Sequence, residues 1–259
     1  MELICFTSPK GSCGASFCTS EIAGMLAKSG YRCLVADLRH NASTLAMYFG
    51  CEDNFVYNLS DVAEGRCSFK DAVIENVCTN DLDFVSTSTL IESDSIQLDE
   101  LISILRKNSS GYDYVLADVS FDILKGNILS QNDTVIYVTD SNRANVSVLE
   151  RCLSSVETEA KSYLLVNKVI PELIADGFAM NIDDICDLIC LPPIGIVPMD
   201  HEADAYTNSG ILSVTDKNLL STKALWNIAE RIKGNRIPAV DFDYKTQYYK
   251  KIKNISNRR

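Results

Sequence analysis

The sequence predicts an α/β protein with a mostly parallel sheet and helices on both faces. Three observations lead there. Seven short apolar runs recur along the chain, continuous rather than alternating, which implies strands buried on both faces. Helical stretches separate most of them, as in repeated strand–helix–strand units. Five of the runs are followed at once by polar or glycine-rich residues, as expected where ligands meet the carboxyl ends of parallel strands.

The elements follow in order. Leu3-Ile4-Cys5-Phe6 reads as the first strand, and residues 17–29 as a helix stopped by Gly30. Cys33-Leu34-Val35-Ala36 is the second strand. Residues 39–81 hold no clear strand and read as an insertion of short helices. Leu82–Val85, Tyr114–Ala117, Val135–Val138, Leu164–Val166 and Ile194–Val197 complete the apolar runs. Helices are expected over 97–107, about 144–157, 180–189 and 216–233. Pro238 then separates a short tail. We find no internal repeat or low-complexity linker, so residues 1–237 are expected to form one domain and 238–259 a basic tail.

Composition narrows the function. A chain of 259 residues that is 46% hydrophobic can bury one sizeable core. Its net charge of −11 disfavours nucleic acid as a partner, because phosphates would repel the body. No apolar run approaches the ~20 residues of a spanning helix. The opening MELICFTSPK lacks the basic flank and long apolar stretch of a secretory signal, so a cytoplasmic protein is expected. The charge is unevenly spread. Residues 244–259 carry six basic and no acidic side chains, leaving 18 basic against 35 acidic in residues 1–243. At helical spacing Tyr244, Tyr248, Ile252 and Ile255 share a side flanked by Lys245 and Lys251. That stripe suits the surface of an anionic membrane, with a solvated tail as the plainer alternative.

The ten cysteines include no C-x-x-C pair. The spacings of Cys13/Cys18 and Cys186/Cys190 fit neither a zinc ribbon nor a thioredoxin motif, and His40 and His201 are the sole histidines. The cysteines read as small hydrophobes kept reduced.

The segment after the first strand carries the chemistry. Lys10-Gly11-Ser12-Cys13-Gly14-Ala15-Ser16 joins a strand to a helix, and Phe17 continues that helix. Glycines let backbone N–H groups point inward at phosphate, and the helix N-terminus adds partial positive charge. A phosphate loop of this kind also uses a Lys for the β and γ phosphates and a Ser or Thr for magnesium. Here Ser16 is present, but position 15 is Ala.

This loop resembles the deviant Walker loop of the MinD/ParA family, usually K-G-G-x-G-K-[ST]. Val35-Ala36-Asp37 resembles the strand into the family's first switch. Tyr48-Phe49-Gly50 with Asn58-Leu59-Ser60-Asp61-Val62 resembles its L-x-x-x-x-G…L-x-D-V segment. Tyr112–Asp118 resembles its Walker B strand. Leu165-Val166-Asn167-Lys168 and Ile194-Gly195-Ile196-Val197-Pro198-Met199-Asp200 resemble the two segments near the base. The likeness spans about residues 1–233. It implies a P-loop NTPase fold, binding of ATP or ADP with magnesium, and a homodimer that positions cellular machinery. It further implies that residues 10–17, Asn167, Pro198 and Asp200 bind nucleotide, that Ser16 and Asp118 hold the metal, and that Lys10 reaches phosphate, often across the dimer interface. Lys10 and Asp37 are the candidates for a catalytic role. MinD members carry a C-terminal membrane-targeting helix, which places this protein at the inner membrane surface if the tail acts alike.

The departures fall on chemical positions. The loop Lys is Ala15, the second loop Gly is Ser12, and Pro9 precedes Lys10 where Gly is usual. The first switch reads Asp37-Leu38-Arg39 instead of D-x-D, whose second Asp lies near the attacking water. The second switch reads Asp118-Val119-Ser120-Phe121-Asp122 instead of D-[ST]-P-x-G. Losing one charge-stabilising group commonly costs about 10²–10³-fold in rate. A weak or absent ATPase is therefore expected: a dimeric, nucleotide-regulated localisation or scaffold factor, similar to the TadZ/CpaE group that serves pilus or secretion machinery. The alternative is an active positioning ATPase in which Lys10 and Arg39 replace the missing groups. An iron–sulfur carrier is a third reading, for which the chain offers Cys186-x-x-x-Cys190.

Overall fold

A computed structural model describes residues 1–39, 44–87, 97–121 and 128–238. Its centre is a seven-stranded sheet: β1 (Glu2–Ser8), β2 (Cys33–Asp37), β3 (Leu82–Ser86), β4 (Tyr114–Ser120), β5 (Thr134–Thr139), β6 (Lys161–Val169) and β7 (Pro193–Pro198). The order is β3-β2-β4-β1-β5-β6-β7, and every pairing is parallel. All seven expected strands are present, and the sheet is wholly rather than mostly parallel. The outermost β7 carries Pro193 and Pro198, which an edge strand tolerates because it has ladder donors to spare.

Successive strand residues feed opposite cores. In β1, Leu3 and Cys5 enter one apolar cluster while Ile4 and Phe6 enter the other. Helices α1 (Ala15–Lys28) and α10 (Leu220–Ile232) cover the face of Ile4 and Phe6, where α10 packs on β7 and α1. The opposite face is covered by α5 (Leu98–Asn108), α6 (Arg143–Leu153) and α8 (Ile182–Ile189) through Leu101, Leu105, Val146, Leu149 and Ile185.

Between β2 and β3 lie three short helices, α2 (Leu45–Tyr48), α3 (Leu59–Ala63) and α4 (Phe69–Ala72), as the strandless stretch predicted. Two further helices escaped the sequence reading: α7 (Pro171–Ala175) and α9 (His201–Asn208). Both are short, and the α9 segment has no strong apolar stripe, so its signal lay in Asp200 as cap and in Glu202 and Asp204 in its first turn. Two helix limits also differ. Residues 154–157 fall outside α6, where the Ser154 and Ser155 hydroxyls donate to the carbonyls of Arg151 and Cys152. The last helix begins at Leu220 rather than at 216, because Ser213–Thr215 form a 3₁₀ turn and Asp216 accepts from the Asn218 N–H at 3.0 Å.

The described chain reaches Pro238, whose carbonyl accepts from Asn227 Nδ2 at 3.1 Å, while Arg231 Nε and Nη2 hold the Ile237 carbonyl. The basic stripe of 244–259, and likewise His40 and Asp122, lie outside the described residues.

Candidate functional site

The strand order explains where the chemistry gathers. Between β4 and β5 sits β1, and the chain leaves β1 into the loop that opens α1, so the loop stands at the centre of the sheet's carboxyl edge. Register does the rest. Asp37 of β2 pairs with Asp118 of β4, and Phe6 of β1 pairs with Asp118 on its other side. Both aspartates are therefore delivered beside the loop, and both are fully buried.

The loop is tied down from β6. Asn167 Nδ2 donates to the Cys13 carbonyl at 2.9 Å, and Lys168 Nζ donates to the Ser12 carbonyl at 3.0 Å. Both loop carbonyls are thus held by side chains of β6. Gly14 has φ +90°, and a Cβ there would lie 2.2 Å from Asn167 Nδ2, so both conformation and space require glycine. Gly14 also caps α1, without a side-chain cap and with no acidic residue in the first turn. The first N–H groups of α1 and its positive dipole end are thus left for an anion.

Ser12, Cys13, Gly14 and Ser16 line a cleft of about 200 Å³ with Ser8, Lys10, Ala15, Phe17, Arg39, Thr44, Tyr48, Lys168 and Asp204. Lys10 and Gly11 are exposed at its lip, and the Ser8 hydroxyl donates to the Lys10 carbonyl at 2.9 Å. The charge lining it is mainly positive, from Lys10, Arg39 and Lys168. That donor set suits phosphate.

Ser16 and Asp118 come together: the Ser16 hydroxyl donates to Asp118 Oδ2. Arg39 joins them. Its Nη1 lies 3.2 Å from Ser16 Oγ and 3.7 Å from Asp118 Oδ2, while its N–H donates to Asp37 Oδ1 at 3.2 Å. Burial pushes the Asp118 carboxyl up to about 6, against the opposing pull of Arg39 and of the Ser16 hydroxyl. The fit to magnesium is therefore poor in this arrangement. A guanidinium already touches both ligands, and unit like charges 4 Å apart repel by about 4 kcal/mol at an effective dielectric near 20.

The base-side residues behave differently. Asn167, Pro198 and Asp200 do come together, with Phe17, around a hollow of about 10 Å³. Asp200 is occupied as the α9 cap, accepting from the Glu202 N–H at 3.2 Å and from the Ser221 hydroxyl at 3.1 Å.

Five residues of the cleft, Ser8, Thr44, Tyr48, Lys168 and Asp204, were not assigned to the site from sequence. Lys168 had a signal, since it follows Asn167 at a strand's carboxyl end. Tyr48 and Asp204 come from α2 and α9, whose placement over the loop no local pattern reveals.

Among known proteins, the septum site-determining protein MinD of Helicobacter pylori is 29% identical over 265 residues, covering 98% of each chain. A family model described as an AAA domain matches residues 1–169, from β1 to the end of β6. The chain belongs to the MinD/ParA-like family of P-loop ATPases. Solved structures agree. The MinC:MinD cell division protein complex of Aquifex aeolicus superposes with a TM-score of 0.80 at 27% identity, over 93% of this chain and 99% of that one. MinD of Pyrococcus horikoshii, solved with Mg-ADP, superposes with a TM-score of 0.72 at 19% identity, over 89% of this chain and 95% of that one, a likeness of fold.

Two family-like segments have structural work here. In the L-x-D-V segment, Asn58 caps α3 and Asp61 returns the bond to the Asn58 N–H, a capping box, while Leu59 is buried. Gly195 clears α10: a Cβ there would lie 2.3 Å from Ile228 Cγ1. The cysteines are all free, and five are buried, Cys5 and Cys33 with thiols pushed by burial up to about 12. Among the described residues no group of three or more His, Cys, Asp or Glu is placed to hold a metal.

Proposed function

We propose that this protein is an atypical MinD/ParA-like localisation or scaffold factor that binds nucleotide at the β1–α1 loop and hydrolyses it weakly or not at all. One observation carries the reading. The β1–α1 loop and three cations line one cleft, while Ala15 and Arg39 stand where the family keeps its phosphate Lys and the second Asp of its first switch.

The chain's own groups suggest how this works. The first N–H groups of α1, Ser16, Lys10 and Lys168 would hold the phosphates of ATP or ADP, whose bound state is what switches the protein. Asn167 and Lys168 keep the loop open by holding its carbonyls. No described residue at position 39 can accept a proton from water, because a guanidinium stays protonated. Lys10, exposed at the lip, is available to a second copy, in keeping with a homodimer. The partner is a protein of a positioning, pilus or secretion system. The basic tail, residues 244–259, would add contact with the inner membrane surface.

The test is phosphate release from ATP, measured beside the Helicobacter pylori relative. We expect at least about 10²-fold slower turnover by this chain. Equal turnover, abolished by Lys10→Ala, would overturn the scaffold reading in favour of an active positioning ATPase. That second reading has one supporting observation, that Arg39 reaches both Ser16 and Asp118.

A further inference from the structure

The resemblance assigns Ser16 and Asp118 to magnesium, yet one guanidinium nitrogen lies against both, 3.2 Å from Ser16 Oγ and 3.7 Å from Asp118 Oδ2. This contact is built in. Arg39 follows β2 by two residues, and the chain there is fastened twice: the Leu38 N–H donates to the Asp118 carbonyl at 2.9 Å, and the Arg39 N–H to Asp37 Oδ1 at 3.2 Å. The Arg39 side chain is 21% exposed and Asp118 is fully buried. Asp118 Oδ1 is also buried, with no hydrogen-bond partner among the described residues, so Arg39 is the countercharge that the carboxylate has. A buried carboxylate without one would be costly.

We infer that Arg39 takes the seat of the divalent cation, so that this protein binds nucleotide phosphate without magnesium. A guanidinium supplies a fixed positive charge and several donors for phosphate oxygens. It keeps the tie to Ser16 and Asp118 that a metal would otherwise make. Lys168 and Lys10 supply further charge on the same cleft. The inference rests on the nucleotide reading proposed above and specifies how that site is neutralised.

The experiment is calorimetric titration of ADP and of ATP into the full chain, with magnesium and with EDTA, for the wild type, Arg39→Ala and Arg39→Lys. Manganese(II) electron paramagnetic resonance in the presence of ADP is the second readout. Wild-type affinity should agree within about twofold in the two buffers. Arg39→Ala should lose about tenfold or more in EDTA and recover with magnesium, since a charge-assisted hydrogen bond is commonly worth that factor. Arg39→Lys should stay metal-independent. Protein-bound manganese should be seen with Arg39→Ala and not with the wild type.

A tenfold loss by the wild type in EDTA would overturn the inference and leave the nucleotide reading standing. Binding by Arg39→Ala alone would also overturn it, making Arg39 a plug. No binding by any protein in any buffer would defeat both. Should Arg39→Ala fail to fold, the two wild-type arms and the manganese spectrum still decide.

Discussion

At the scale of single residues, the site is held by groups far apart in sequence whose contacts are short. Gly14 and Asn167 are 153 positions apart, yet the space one lacks is the space the other fills. A second such pair lies beneath the loop. Glu21, fully buried in α1, accepts from the Ser213 N–H at 2.8 Å and the Ser213 hydroxyl at 3.0 Å, fastening the 3₁₀ turn to the helix. Burial pushes its carboxyl from 4.5 up to about 7, more than the Ser213 bonds pull it down. Between those values the folded state holds a proton that the unfolded chain has released, so stability falls as pH rises through that window. The loss is on the order of 3 kcal/mol. Glu21→Gln keeps the shape and removes the charge. We expect urea melts of the wild type to weaken from pH 4.5 to 7 and those of Glu21→Gln to weaken much less. Parallel curves would refute this.

At the scale of elements, packing decides which family-like positions are structural. Gly195 on β7 allows α10 to seat, and Asn58 with Asp61 starts α3. Gly195→Ala would press a methyl group against Ile228, a side chain with no exposed surface. Overpacking of this kind costs about 1–3 kcal/mol. The variant should melt lower, and in an Ile228→Ala background the further loss should be smaller, whereas independent, additive effects would show that the contact is not the cause. The same elements show what was readable. The strands were legible because each is a continuous apolar run, and most long helices because α5, α6 and α8 each turn one apolar face to the sheet. α7 was not, because five residues span too few turns to establish a period, and α9 was not, because its eight residues lack the apolar face that α8 carries at the same length.

At the scale of the whole molecule, charge is the organising quantity. The body is strongly acidic, the charges on the cleft at the sheet edge are mainly positive, and the last sixteen residues carry six positive charges. Among the described residues no helix is long and apolar enough to cross a membrane. The proposed membrane contact of the basic tail would be worth ~1 kcal/mol per basic residue near anionic lipid and weakened by salt. A chain ending at Val240 should therefore sediment less with anionic vesicles than the full chain, and the difference should shrink as salt rises. Equal sedimentation of the two would remove the membrane from the proposed function.

Fold class, strand number, loop position and the loss of the loop Lys were all present in the amino-acid order, because each depends on local pattern: apolar runs, their spacing, and the residue types at a turn. The arrangement at the site was not. That Asn167 holds the loop, and above all that Arg39 lies on Ser16 and Asp118, depend on the order in which strands sit in the sheet. Position 39 read in sequence as a missing aspartate. In space it is a cation standing between the two residues expected to hold one, because parallel register sets Asp37 beside Asp118 and the chain leaving β2 must then pass the loop after β1.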